Sequence, residues 1–266
     1  MFASASVSDF EYHKVEQRRS YRLMYNVAVR LAGAVVVQTD EQVTLCERTF
    51  RRKAMLIRSV AAPAPPQDHA PLAFLWVGRL VWYKRPLEYV ALARALPEAT
   101  FWMVGVPSSG THDDESGLAE TVASQAQGVA NLELLDPRPH SEIGELMARA
   151  VASVNTAEFE GMPNVLLEAW RRGVPALVLH HDPSGVIERY GLGDFAKGSR
   201  ERLIELARRQ WHERTDRTHV SERCRKYIRT YHEPERVAEQ WLRLLGTSSS
   251  HQASATTRDT QTICAA

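Results

Sequence analysis

The sequence predicts an α/β protein built on a doubly wound parallel sheet. Two observations carry that expectation. Apolar runs of strand length alternate with segments of helical period over most of the 266 residues. Two polar, ligand-like segments each follow directly on such a run, at the sheet end where open α/β proteins bind ligands.

The elements follow in order. A helical stretch from about Arg18 to Ala32 leads into a buried strand, Ala34 to Thr39. A helix over Asp40 to Phe50, capped by Thr39 or Asp40, and a strand over Ala54 to Val60 complete this first part. Ala61 to Gln67 then reads AAPAPPQ, and three prolines in seven residues make a stiff, extended connector. Alternation resumes with strand Leu72 to Val77, helix Pro86 to Leu96, strand Thr100 to Val104, helix Leu118 to Gln127 and strand Leu132 to Leu135. Helix Ser141 to Arg149, strand Ala152 to Asn155, helix Asn164 to Arg172 and strand Ala176 to Leu179 follow. Beyond Arg200 the pattern is helical only, near Glu201 to Glu213, Val220 to Tyr231 and Pro234 to Leu245. Residues 247–266, rich in Ser, Thr, Gln and Ala, have little to bury and read as a disordered tail.

Composition narrows the function. With 44% hydrophobic and 24% charged residues the chain is an ordinary globular one. Its 33 Lys+Arg against 32 Asp+Glu leave a formal charge of +1, so no global field holds nucleic acid or an anionic surface, and any anion must be gripped by particular residues. Cys46, Cys224 and Cys264 form no disulfide or zinc spacing. The adjacent His180 and His181 point to opposite faces of a strand and lack a third ligand, so no metal is expected. The N-terminus lacks a basic-then-apolar leader pattern and Val27 to Val37 is too short to span a bilayer, which together suggest a cytoplasmic protein with room for peripheral membrane association.

Two segments carry chemistry. In Val77-Gly78-Arg79-Leu80-Val81-Trp82-Tyr83-Lys84-Arg85-Pro86, Gly78 is expected to turn the chain after a strand. Arg79 offers a planar fork for oxygens, and Lys84 a point charge near a helix start. The set suits a diphosphate, and equally fits a solvated basic loop. Trp82 and Tyr83 are expected to pack over the loop or to face a further domain, rather than to stack on a base. In Glu158-Phe159-Glu160-Gly161-Met162-Pro163-Asn164-Val165-Leu166-Leu167-Glu168, a single helix would separate Glu160 from Glu168 by about 12 Å. Gly161 and Pro163 instead fit a turn and a helix start. That leaves Glu160 in the loop, free N–H groups near Met162 to Val165, and Glu168 on the second turn. One carboxylate then suits sugar hydroxyls and the other a ribose diol. Alternatively, Glu168 is an exposed helix residue and Glu160 a charge favourable to the helix dipole.

Taken in order, G-R-L-x-x-x-K (Gly78, Arg79, Leu80, Lys84) and EGMPNVLLE (Glu160 to Glu168), followed by Gly173-Val174-Pro175, resemble the donor half of the retaining family 4 glycosyltransferases (glycosyl transferases group 1), which have the GT-B fold. The resemblance runs from about Val35 to Leu245 and is strongest from Leu72 to Gly193. It implies that the sheet is Rossmann-like. It implies that Arg79 and Lys84 neutralise the diphosphate of a nucleotide-sugar donor, that Glu168 holds the ribose, and that Glu160 contacts the sugar. It further implies that Gly161, Met162, Pro163, Asn164 and Val165 present backbone donors, and that Leu135 to Arg138 lie along the base. The implied reaction retains anomeric configuration and needs no cofactor or essential metal, with Arg79, Lys84 and Glu160 as its catalytic groups.

On the same resemblance, residues 1–62 would be a remnant of the acceptor-side domain with its linker, 63–246 the donor domain, and 247–266 the tail. A truncated enzyme, or a donor-binding subunit completed by another chain, would follow. His13 does not stand in the context of the family's N-terminal histidine, and the last helix is expected to pack incompletely. The acceptor stays open among polysaccharide, lipid-linked glycan and small molecule. A nucleotide-sugar binding module without turnover is the alternative. A dinucleotide oxidoreductase is disfavoured because no G-x-G-x-x-G opens a strand-to-helix turn.

Overall fold

The computed structural model describes residues 1–4, 6–10, 19–65, 69–107 and 117–256. His13 and the segment 257–266 lie outside them. Two parallel sheets form. The first unit contains β1 (Phe2–Ser4), α1 (Arg19–Leu31), β2 (Val35–Val37), α2 (Asp40–Phe50) and β3 (Met55–Leu56), with strand order β1-β2-β3. Sequence reading found two of these strands. β1 escapes it because three residues, Phe-Ala-Ser, become a strand only through pairing of Phe2 with Val35 and Ser4 with Val37. Thr39 caps α2 as expected, its Oγ1 accepting from Gln42 N at 3.2 Å while Gln42 Oε1 accepts from Thr39 N at 3.0 Å.

The second unit contains β4 (Ala73–Leu80), α3 (Pro86–Ala95), β5 (Phe101–Pro107), α4 (Leu118–Ala126), β6 (Leu132–Leu135), α5 (His140–Ala148) and β7 (Ala150–Asn155). It continues through α6 (Asn164–Arg172), β8 (Ala176–Val178), α7 (Val186–Tyr190), β9 (Gly193–Phe195), α8 (Arg200–His212), α9 (Thr218–Tyr231) and α10 (Pro234–Thr256). Its six strands pair in parallel in the order β6-β5-β4-β7-β8-β9. Counted within the unit this is 3-2-1-4-5-6, the order of a Rossmann-like sheet, and it reverses between β4 and β7. Every residue of β7 is buried, as expected for a central parallel strand covered on both faces. Phe74, Tyr89, Leu92 and Phe101 fill the core between the sheet and α3, and Leu166, Trp170 and Ile228 the core between α6 and α9.

Two of the boundaries that depart from the sequence reading matter most. β4 runs on to Leu80 rather than ending at Val77, because pairing with β5 continues through Leu80 and Pro107. Gly78 therefore lies inside a strand and is not among the positive-φ glycines; its tight-turn role is not realised. A Cβ there would press on the Trp76 ring at 3.2 Å. The last helix, expected to stop near Leu245, continues to Thr256, so 247–256 are helical rather than part of a disordered tail. No proline interrupts that stretch. Val237 and Leu244 of α10 are buried with Val36 and Ile57 of the first unit, whereas Leu242 and Leu245 are exposed.

Candidate functional site

Both motifs fall where the strand order reverses. Arg79 is the next-to-last residue of β4 on one side of the reversal, and Asn155 ends β7 on the other. The chain leaves β4 through a 3-10 turn, Trp82–Lys84, with Lys84 N donating to Val81 O at 3.1 Å. It enters α3 through Arg85, which holds a left-handed conformation (φ 50, ψ 51) without being glycine. The turn required by the sequence argument is thus made at Arg85 rather than Gly78.

The structure joins this turn to the loop after β7. Thr156 Oγ1 donates to Lys84 O at 2.6 Å and accepts from Trp76 Nε1 at 3.0 Å. Glu158 N donates to Tyr83 O at 2.8 Å, and the Arg85 guanidinium pairs with the Glu158 carboxylate. Tyr83 stacks on Phe159 with ring centroids 5.2 Å apart, and Trp82 meets Phe159 edge-on. Trp82 and Tyr83 therefore do pack over the loop.

Lys84 and Glu160 are brought into direct contact, the Nζ against Oε1. Asn155 Nδ2 donates to the other Glu160 oxygen at 3.2 Å. Glu160 is only 8% exposed. Burial, and then the neighbouring Arg79 charge, draw Lys84 down to about 8 despite its contact with Glu160. Arg79 itself is exposed, its Nη2 donating to Tyr83 Oη at 3.1 Å.

Gly161, Met162 and Pro163 are buried, and α6 starts at Asn164 with Pro163 as its cap residue. Leu166 N is the first to reach back, to Pro163 O at 3.0 Å. Asn164 and Val165 thus carry the first-turn N–H groups that a helix leaves to outside acceptors.

Glu168 and Arg138 stand apart from that pair. Glu168, half-buried, accepts from Arg171 at 3.2 Å and is clasped by Arg172, with His140 Nε2 at 3.6 Å. Burial alone would raise its pKa; the Arg172 hydrogen bond and the Arg171 and Arg172 charges outweigh burial and hold it below the ordinary carboxylate value. His140, one residue ahead of the helix expected from Ser141, is the first residue of α5. Arg138 pairs with Glu142 at 3.1 Å on the exposed approach to α5 and contacts neither Lys84 nor Glu160. Asn155 and Thr156 were missed by sequence reading, and Glu158, which heads the second segment, was given no role. The available signal was the polar pair Asn155-Thr156 closing the small, apolar run AVASV. Among the described residues no group of three or more His, Cys, Asp or Glu could hold a metal ion.

The segment 71–201, which contains every residue of this site, matches the model of the family described as Glycosyl transferases group 1. A search of the curated proteins returns no match. Among solved structures, sucrose-phosphate synthase from Thermosynechococcus elongatus is similar at TM-score 0.77 and 17% identity, covering 94% of this chain and 67% of that one. Anabaena HepE in complex with UDP and glucose is similar at TM-score 0.73 and 16% identity, covering 90% and 69%. An S. aureus TarM mutant in complex with fondaparinux, alpha-GlcNAc-glycerol and UDP has TM-score 0.73 and 12% identity, covering 91% of this chain and 50% of that one. The present chain therefore spans half the length of TarM. The fold is the α/β arrangement of GT-B glycosyltransferase structures.

Proposed function

We propose that the chain binds a nucleoside-diphosphate sugar and takes part in transferring a hexose-type sugar from it to an acceptor with retention of configuration, as in family 4. The observation that carries this reading is the Lys84–Glu160 pair at the sheet reversal, just ahead of the α6 N-terminus. Without ligand, the Glu160 carboxylate occupies the place beside Lys84 that a phosphate oxygen would take. With the donor present, Lys84 and Arg79 turn to the diphosphate, and Glu160, held by Asn155, becomes free to accept from sugar hydroxyls.

Charge accumulates on the leaving diphosphate as the glycosidic bond breaks. A cation already placed there contributes about 3 kcal/mol to lowering the barrier, the scale of one preorganised electrostatic donor. The Asn164 and Val165 amides add neutral donors. Lys84 and Arg79 thereby supply what a metal ion would otherwise supply, so the reading requires no cofactor. Glu168 takes the ribose, and Arg138 borders the base.

The UDP found in the TarM and HepE structures supports a uridine donor. Polysaccharide, lipid-linked glycan and small-molecule acceptors all fit the reading. Peripheral attachment at the inner face of a membrane is supported by the exposed apolar residues Leu23, Met24, Val27 and Leu31 on α1; among the described residues no helix is long and apolar enough to cross a membrane. Calorimetric titration with UDP, GDP and ADP tests the reading. One nucleotide should bind, and Lys84→Ala should weaken it; no binding by folded protein would refute it. A nucleotide-sugar binding module without turnover is the second reading. It predicts the same binding with no release of sugar from the donor.

A further inference from the structure

A cavity lies at the other end of the same sheet from the donor site. It is a half-open hollow of about 380 Å³ between the N-terminal edges of the last three strands of the order, the end of α8 and the start of α9, with Arg209, Glu213, Asp216 and Arg223 at its exposed rim. Val151, at the start of β7, lines it, whereas Asn155, at the end of β7, belongs to the donor site. Four residues of strand put roughly 13 Å between them. The two sites are thus separated by the sheet itself.

Arginine dominates this cavity. Arg209, Arg214, Arg217 and Arg223 all line it. Only Arg209 has an ion-pair partner among the described residues, Asp194, which also accepts from Gln210 at 2.6 Å. Arg214 lies over the Trp211 ring at 4.2 Å and donates to Trp211 O. Arg217 donates to Ala150 O, and Arg223 donates to Gly191 O at 2.8 Å. Carbonyls satisfy one or two of the five N–H groups on each guanidinium and cancel none of its charge. Gln210 adds a buried Oε1 with no hydrogen-bond partner.

Burial, followed by the Arg225 charge, depresses Arg217 below the ordinary arginine value, so an entering anion would relieve an existing cost. The volume exceeds what a bare phosphate fills and falls in the range of small-molecule sites. Glu213 and Asp216, also in the lining, are acceptors for hydroxyl groups.

We infer that this cavity binds a small phosphomonoester carrying a hydroxylated body, with Arg214, Arg217 and Arg223 on the phosphate and Glu213 and Asp216 on the hydroxyls. The site is independent of the donor site and of the activity proposed for it.

Calorimetry of the whole chain with ribose 5-phosphate, inorganic phosphate and unphosphorylated ribose tests the inference, each with and without saturating UDP. Ribose 5-phosphate should bind more tightly than inorganic phosphate, ribose should not bind, and UDP should not compete. Arg214→Gln and Arg223→Gln should each weaken ribose 5-phosphate about tenfold, the scale of one charged hydrogen bond, while Lys84→Ala leaves it unchanged. Each of the three arginines also donates to a main-chain carbonyl, Arg214 to Trp211 O, Arg217 to Ala150 O and Arg223 to Gly191 O, so every variant is read beside a thermal melt and counts only where the melt is unchanged. Absence of binding at millimolar ligand, displacement by UDP, or loss in Lys84→Ala but not in the arginine variants would overturn the inference. Failure of UDP to bind would bear on the donor site alone.

Discussion

Thr156 Oγ1 donates to the Lys84 carbonyl at 2.6 Å, so the turn that carries the buried cation is fastened to the loop that carries its carboxylate. The same oxygen accepts from Trp76 Nε1 at 3.0 Å inside the core. Rigid packing is thereby transmitted to the position of Lys84. Thr156→Val keeps the volume and removes both hydrogen bonds, leaving the indole N–H and the carbonyl without partners. It should weaken UDP binding several-fold and cost about 1 to 3 kcal/mol of stability, measured by titration and urea unfolding. Thr156→Ser should restore both. Equal UDP affinity in the valine variant would mean that Lys84 is positioned by other contacts.

Lys84 sets the pH dependence of donor binding. Its ordinary value is 10.5 and burial, then Arg79, lowers it to about 8. Below that pH the ammonium is present; above it the group is neutral and grips phosphate poorly. UDP affinity should therefore hold steady up to about pH 8 and decline by up to about tenfold per unit beyond it, following linkage to one proton. Lys84→Arg, whose guanidinium stays charged throughout, should remove the decline even if it binds less tightly. A decline of the same steepness in the arginine variant would assign the titration elsewhere.

The parts of the fold legible in the sequence are those that repeat a local pattern. Helices α2 and α6 stand at their expected bounds because capping residues and the Asn164–Glu168 apolar stripe are local signals. What pairing decides was not legible. β1 needs Val35 to Val37 beside it, β9 is a glycine-led triplet lying on β8, and the end of β4 depends on how far β5 continues. In the site, Lys84 and Glu160 were legible as residues but their contact was not, since 76 positions of chain and three intervening strands separate them. The partners of Glu168 were partly legible, Arg171 and Arg172 standing at i+3 and i+4 on one helix. His140 could be placed beside Glu168 only once α5 and α6 were seen to pack.

Glu168 meets any ligand with both oxygens already held by guanidiniums. An ionised carboxylate has about four acceptor positions, so a ribose diol can still donate to it. Glu168→Gln should weaken UDP by about 1.5 to 3 kcal/mol and leave pyrophosphate unchanged. The comparison isolates the ribose, because both ligands carry the diphosphate. Equal losses for the two would move Glu168 away from the ribose and make it a support for the diphosphate through Arg171 and Arg172.

His232 links the two units and should make their union acid-sensitive. Its ring is fully buried, with Nδ1 2.7 Å from Ser59 O, and its carbonyl accepts from Ala61 N at 2.8 Å. Nε2 is buried without a partner. Burial lowers its value from 6.5 to about 4, the Ser59 contact opposing and the Arg58 charge reinforcing that shift. At neutral pH both folded and unfolded chains keep this histidine uncharged, and it contributes no pH dependence. As pH falls below 6.5 the unfolded chain takes up the proton while the folded one refuses it, so stability declines until about pH 4, where both are protonated. The whole loss amounts to about 3 kcal/mol at 1.36 kcal/mol per unit. Urea unfolding from pH 7 to pH 4 should show this decline, and His232→Asn should flatten it while lowering stability at neutral pH. A variant with an unchanged slope would locate the acid sensitivity in the carboxylate pairs instead of the junction.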